Sequence, residues 1–179
     1  MIAVFLADGF EEIEALAVVD ILRRADIDVV TVGVGTTTPT GSHAIAVTTD
    51  MPETELDVST LNGVVLPGGM PGTLNLEKSA IVRAAVAYAM EQRLPVGAIC
   101  AAPSILGHEG YLQGLHATCY PGFETELTGA IYEEGGVVTD GTVTTAAGAG
   151  VAVDFALELV RQLASVSVAE DIRRGIQCR

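Results

Sequence analysis

Three stretches of this 179-residue sequence carry residue types that could do chemistry. The first is the apolar run Pro95–Val96–Gly97–Ala98–Ile99, which ends abruptly in Cys100 and continues as Ala101–Ala102–Pro103. A short apolar run reads as a buried strand, and Ala-Ala-Pro-Ser-Ile-Leu reads as a helix with proline in its first turn. Cys100 therefore falls on a strand-to-helix corner, which lifts a side chain out of the sheet and aims the free N–H groups of the new helix at its target. That geometry suits a nucleophile. The same position also suits a small core residue, the commoner fate of a lone cysteine in an apolar run.

The second stretch is Glu11–Glu12–Ile13–Glu14, opening a helix that runs to Arg24. At about 100° per residue, Ala15, Val18, Ile21, Leu22 and Ala25 gather on one face, opposite Asp20, Arg23 and Arg24. Glu14 falls in the middle of the apolar face. A carboxylate there costs free energy if ionised and unpaired, so its pKa should be raised, and a neutral carboxyl could donate to a Cys100 thiolate. An ordinary thiol is only a few per cent ionised at pH 7. Lowering its pKa by about three units takes roughly 4 kcal/mol, so backbone N–H groups at the helix start must contribute as well. Glu11 lies near the same side in the first turn, favouring the helix dipole, while Glu12 points with the polar residues and is expected to be solvated. A second reading of Glu14 is a residue at a helix end that reaches water.

The third stretch, Pro67–Gly68–Gly69–Met70–Pro71–Gly72, is too rich in Gly and Pro to be helix or strand. Gly68 or Gly69 could bring an N–H close to a reacting oxygen and, with the N–H of Ala101, form an oxyanion hole. Read alone, a Gly-Gly pair is simply a turn.

For these stretches to meet, the chain must fold as alternating strands and helices. Met1–Leu6, Ile27–Val32, Gly63–Leu66 and Val96–Ile99 read as buried strands. Leu115–Thr118, Gly136–Thr139 and Thr142–Thr145 read as further ones, with a short hairpin around His43–Thr48. Helices are expected from Glu11, over Ser79–Gln92 and Ala101–His108, and from Gly148–Ala149–Gly150 to about Leu163. This alternation predicts an α/β fold, a doubly wound, mostly parallel sheet with helices on both faces, in a single domain spanning residues 1–179. Ligands of such sheets bind outside the carboxyl ends of the strands, which collects the segments after Leu6, Leu66, Ile99 and Thr118 at one rim.

Composition narrows the function. A net charge of −14 with one lysine, Lys78, argues against nucleic acid and anionic membrane surfaces as partners. With 49% hydrophobic residues, no membrane-length apolar stretch and a start that enters a strand pattern directly, a cytoplasmic protein is expected. Three widely spaced cysteines make no disulfide framework, and no Cys/His spacing matches a metal site, so reduced thiols and no metal are expected. Ile13, Leu16 and Val19 form a second apolar line beside Asp20 on the first helix, as in a helix buried between its own sheet and a partner. A twofold homodimer through this helix follows as an expectation.

Taken together, Ala7–Asp8–Gly9–Phe10–Glu11–Glu12–Ile13–Glu14, Leu66–Pro67–Gly68–Gly69 and Ala98–Ile99–Cys100–Ala101–Ala102–Pro103 resemble the ThiJ/PfpI superfamily. The likeness is to the branch of the parkinsonism-associated deglycase, and runs on through Asn75–Leu76, His108–Glu109, Tyr120–Pro121 and Asp154–Phe155–Ala156–Leu157. The resemblance implies a flavodoxin-like fold, a homodimer and no cofactor, with Cys100 as the reactive thiol, Glu14 as its protonated partner, and Gly69 with Ala101 as oxyanion donors. It also implies action on a small aldehyde or glycated substrate, as a glyoxalase converting methylglyoxal to lactate or as a deglycase. A redox or stress sensor, or a chaperone acting through oxidation of Cys100, is the alternative, with a PfpI-type peptidase a third.

Three positions depart from the family pattern. Tyr120 stands where a histidine near the thiol is usual, Ala147 precedes Gly148–Ala149–Gly150 in place of an arginine, and His43 stands where another arginine is expected. Of the histidines, His108 and His116 lie too far along their elements to serve Cys100, and His43 stays a candidate beside Glu11, Gly68 and Tyr120 as a lining residue. Cys119 alternates with Tyr120 and should face away from the thiol, and Cys178 is expected to be an exposed tail residue.

Overall fold

Ile2–Ala7, the run with no polar side chain, forms β1, and all six of its residues are buried. The computed structural model describes residues 1–178. After β1 come α1 (Glu12–Arg24), β2 (Val29–Val34), the two-residue β3 (Met51–Pro52) and β4 (Gly63–Leu66). They are followed by α2 (Gly72–Lys78), α3 (Ala80–Glu91), β5 (Val96–Ile99) and α4 (Pro103–His108). The remainder is β6 (His116–Ala117), β7 (Ile131–Tyr132), β8 (Val137–Asp140), β9 (Val143–Ala146), α5 (Ala152–Leu163) and α6 (Val166–Gly175). Among the described residues no helix is long and apolar enough to cross a membrane.

The main sheet has the order β3-β2-β1-β4-β5-β9-β8, parallel throughout except for the closing β8–β9 hairpin. Period-two alternation along β1 sends Ala3, Phe5 and Ala7 into the core beneath α3 and α4, and Ile2, Val4 and Leu6 into the core shared with α1 and α5. Helices therefore cover both faces, as the flavodoxin-like expectation requires. With the short β3 set aside, the strand order reverses direction between β1 and β4, so the crevice above those two strands is the switch point where such sheets bind ligands.

Several local expectations are corrected. β2 begins at Val29 because Asp26 (φ 55°) turns the chain and the Ile27 N–H still caps α1 by donating to the Leu22 carbonyl. Around His43–Thr48 there is no hairpin, only a single Thr40–Ala46 bridge. Leu115–Thr118 supplies just His116–Ala117, paired with β7 in a separate two-stranded sheet. The Pro-rich loop is shorter than expected because α2 starts at Gly72, and α6 packs on α5 with Ala169 and Ile172 buried. Val19 is 8% exposed and belongs to the core, so only Ile13 and Leu16 of the second apolar line on α1 face outward.

Candidate active site

Glu11 begins the site as the N-cap of α1, its carboxylate accepting the Glu14 N–H at 2.7 Å. That cap fixes the first turn and sets Glu14 on the inner face, where it is 1% exposed. Glu14 Oε2 accepts the Gly68 N–H at 2.8 Å, while Oε1 is buried with no hydrogen-bond partner. The loop after β4 can approach this closely only as glycine. A Cβ on Gly68 would stand 2.6 Å from the Cys100 Cβ and 2.7 Å from Glu14 Oε2. Gly69 takes a φ of +92°, open to glycine at little cost, and a side chain there would collide with the backbone of Phe10 and Glu11.

Cys100 occupies the corner after β5 with a φ of +63°. A left-handed conformation costs a residue other than glycine on the order of 1–3 kcal/mol, and persists only when its surroundings hold it. Here the Cys100 N–H donates to the Ala146 carbonyl at 2.8 Å, and the Cys100 carbonyl accepts the Tyr120 N–H at 2.8 Å. The partly buried thiol is thereby aimed at Glu14 and at the backbone N–H groups of Gly69 and Ala101.

Electrostatically the thiol and the carboxyl form one unit. Burial pushes Glu14 up to about 7 and the Glu11 charge adds to the rise, while the Gly68 N–H, the thiol and the Ala149 N–H favour its ionised form. Burial, then the charge of Glu14, pushes Cys100 up to about 12, against the N–H groups of Gly69 and Ala101. The sequence led us to expect a thiolate favoured by its surroundings; beside an ionised Glu14 the opposite holds. The opposing charge vanishes once Glu14 holds a proton, so the thiolate belongs with the neutral carboxyl. Neither the thiol nor Ala149 makes a hydrogen bond of full geometry to Oε1, which is left without a partner.

The remaining expected residues divide. Gly68, Gly69, Ala101, Glu11 and Tyr120 join Cys100 and Glu14 at the rim. His43 does not reach the thiol: its ring pairs with Glu12 at 2.7 Å and its N–H donates to the same carboxylate. Glu12, expected in solvent, is 5% exposed because the Ser42–His43 segment folds over the start of α1. Glu11, Glu12 and His43 bring ligand atoms within 4.8 Å of one another, yet Glu12 and His43 already satisfy each other as an ion pair. His108 clasps Glu77 and Glu126, and His116 pairs with Glu133. Cys119 is 1% exposed and faces the core, while Cys178 is partly buried beside Arg173 rather than free in solvent.

Gly148 and Ala149 are the site residues that sequence reasoning missed. Their signal was the Gly148–Ala149–Gly150 run directly after β9, the strand that pairs with β5. Two surface clefts of about 400 Å³ each lie elsewhere and include neither Cys100 nor Glu14.

Protein dj-1beta of Drosophila melanogaster is 32% identical over 181 residues, covering 97% of this chain and 94% of the fly protein. Protein DJ-1 homolog B of Arabidopsis thaliana is 33% identical over 163 residues, and the chain spans only 37% of that longer protein. The glutathione-independent glyoxalase DJR-1.2 of Caenorhabditis elegans is 28% identical over 155 residues, 86% of this chain and 82% of that protein. Among solved structures, oxidized Toxoplasma gondii DJ-1 superposes with a TM-score of 0.94 at 32% identity, covering 98% of this chain and 97% of that one. The family model described as DJ-1/PfpI matches residues 1–162. With a family model matched over residues 1–162 and relatives about one-third identical almost end to end, the chain belongs to the DJ-1/PfpI family.

Proposed function

We propose that the protein is a cysteine-dependent enzyme acting on small reactive carbonyls, converting methylglyoxal to lactate without glutathione. The observation that carries this reading is the pairing of Cys100, held at φ +63°, with a Glu14 whose second oxygen is buried and unpartnered. The name of the nematode relative points the same way. The Cys100 thiolate adds to the aldehyde carbon, forming a C–S bond, and the resulting oxyanion takes up a proton to give a hemithioacetal. The N–H groups of Gly69 and Ala101 stabilise that oxyanion. Glu14 then removes the proton from the former aldehyde carbon and returns one to the neighbouring carbon through an enediol, leaving a lactoyl thioester. Water cleaves the thioester, releasing lactate and restoring the thiol. This chemistry needs no cofactor.

A second reading rests on the same sulfur. In a redox sensor, two equivalents of hydrogen peroxide oxidise the thiolate to a sulfinate and are reduced to two of water. The sulfinate oxygens would take the Gly69 and Ala101 N–H groups and the open Glu14 oxygen, and the Toxoplasma neighbour was solved as an oxidized protein. The two readings separate in one experiment. Incubation with methylglyoxal without thiols should yield lactate from the wild type and none from Cys100→Ala; a wild type that makes no lactate but gains two oxygens at Cys100 under mild peroxide establishes the sensor instead. Our reading also includes a homodimer through the exposed Ile13–Leu16 face of α1.

A further inference from the structure

Beside the reactive pair stand the ring of Tyr120 and the bare backbone of Gly148. Tyr120 is tied to the nucleophile's own backbone through its N–H bond to the Cys100 carbonyl, yet 50% of the residue remains exposed. Gly148 has no side chain where a methyl would lie 3.4 Å from Tyr120 Cδ2 and 4.0 Å from Glu14 Oε1. The position a side chain on residue 148 would take thus touches both the Tyr120 ring and the Glu14 carboxyl, and glycine leaves it free.

The charges at this rim are one-sided. Glu11 supplies negative charge, Glu14 adds to it when ionised, and the His43 ring, 4.0 Å from Glu11, is already paired with Glu12. The arginine ion pairs join Asp20, Asp50, Asp154, Glu158, Glu170 and Asp171, none of them a site residue. Among the described residues no lysine or arginine pairs with Glu11 or Glu14, so a substituent entering beside Tyr120 would meet an aromatic surface and carboxyl groups. An aryl or alkyl group can lie against the ring, whereas an anionic group is placed beside like charge.

We propose that Tyr120 and Gly148 form the wall that receives the substrate's substituent, making Tyr120 a specificity-determining residue that selects 2-oxoaldehydes with neutral apolar or aromatic substituents over carboxylate-bearing ones. This rests on the reactive-carbonyl reading above.

The test compares kcat/KM for methylglyoxal, phenylglyoxal and 4-carboxyphenylglyoxal. The wild type should favour phenylglyoxal over its carboxylated analogue by about ten-fold or more. Tyr120→Ala should lower the phenylglyoxal-to-methylglyoxal ratio about ten-fold, the scale of one lost aromatic contact. Tyr120→Arg should narrow or reverse the discrimination by charge, and Gly148→Ala should penalise phenylglyoxal more than methylglyoxal. Ratios that do not change in these variants overturn the proposal. If the wild type turns over none of the three compounds, the carbonyl reading fails, and the wall is tested by alkylation of Cys100. Iodoacetamide should then outpace iodoacetate by more than it does with glutathione, and Tyr120→Arg should shrink that excess. Equal selectivity in wild type, variant and glutathione overturns the wall.

Discussion

At the scale of single residues, the chemistry depends on where one proton rests. Glu14 is buried among apolar neighbours, and the fold tolerates it by raising its pKa and supplying the Gly68 N–H. The folded-state value of about 7 stands above the ordinary 4.5, so the native state favours the protonated carboxyl. The stability this provides is complete below pH 4.5 and is lost as the pH rises through about 7. Glu14→Gln cannot ionise, so from pH 4 to pH 8 the wild type should lose about 3 kcal/mol relative to the variant, measured by urea unfolding. Gly68→Ala should push the loop away from both Cys100 and Glu14, slowing alkylation of Cys100 by at least about ten-fold while the helical circular dichroism stays intact. Much of this was legible in the sequence: Glu14 stood out on the wrong face of its helix, and Cys100 at the end of its strand. The sense of the thiol's perturbation was not legible, because it depends on the charge of a neighbour that only the fold brings near.

At the scale of elements, the apolar runs named the strands well because a central parallel strand buries both of its faces. They said less about β3, β6 and β7, which are two residues each and carry no period to read. The burial of Glu12 was equally hidden, since helical periodicity places it outward and a loop thirty residues on in the chain covers it. That strap makes a pH prediction. Hydrogen bonding to Glu12, then its charge, raises the His43 pKa, so that contribution is present below about 6.5 and fades as the pH rises through the shifted value. Desolvation would raise the Glu12 pKa, but the His43 hydrogen bonds outweigh it, so its contribution holds above about 4.5 and fades as the pH falls through the lowered value. His43→Ala should therefore destabilise most near pH 5–6 and progressively less above pH 7, as read by thermal unfolding. Beneath the site, β5 meets α5 with no slack. A Cβ on Gly97 would lie 2.9 Å from the Phe155 ring, so Gly97→Ala should cost about 1–3 kcal/mol by overpacking, and Phe155→Leu in that background should recover part of it.

At the scale of the whole molecule, a doubly wound sheet explains why stretches far apart in sequence share one rim. The turn after β1, the loop after β4 and the corner after β5 lie at the carboxyl ends of neighbouring strands, beside the point where strand order reverses. Resemblance and periodicity converge here, because the family motifs are the segments this topology places at the crevice. The same scale holds the dimer prediction. Ile13 and Leu16 are 57% and 38% exposed on α1, so sedimentation should report a dimer at micromolar concentration, and Ile13→Asp with Leu16→Asp should give a monomer. The central claim remains that Cys100 and Glu14 act as one reactive unit. It is tested most directly by lactate formation from methylglyoxal in wild type, Cys100→Ala, Glu14→Gln and the double variant. A paired mechanism predicts that each single change costs at least about 10²-fold and that the double variant is no slower than the slower single one. Losses that multiply across the two positions, or turnover that survives either change, would contradict it.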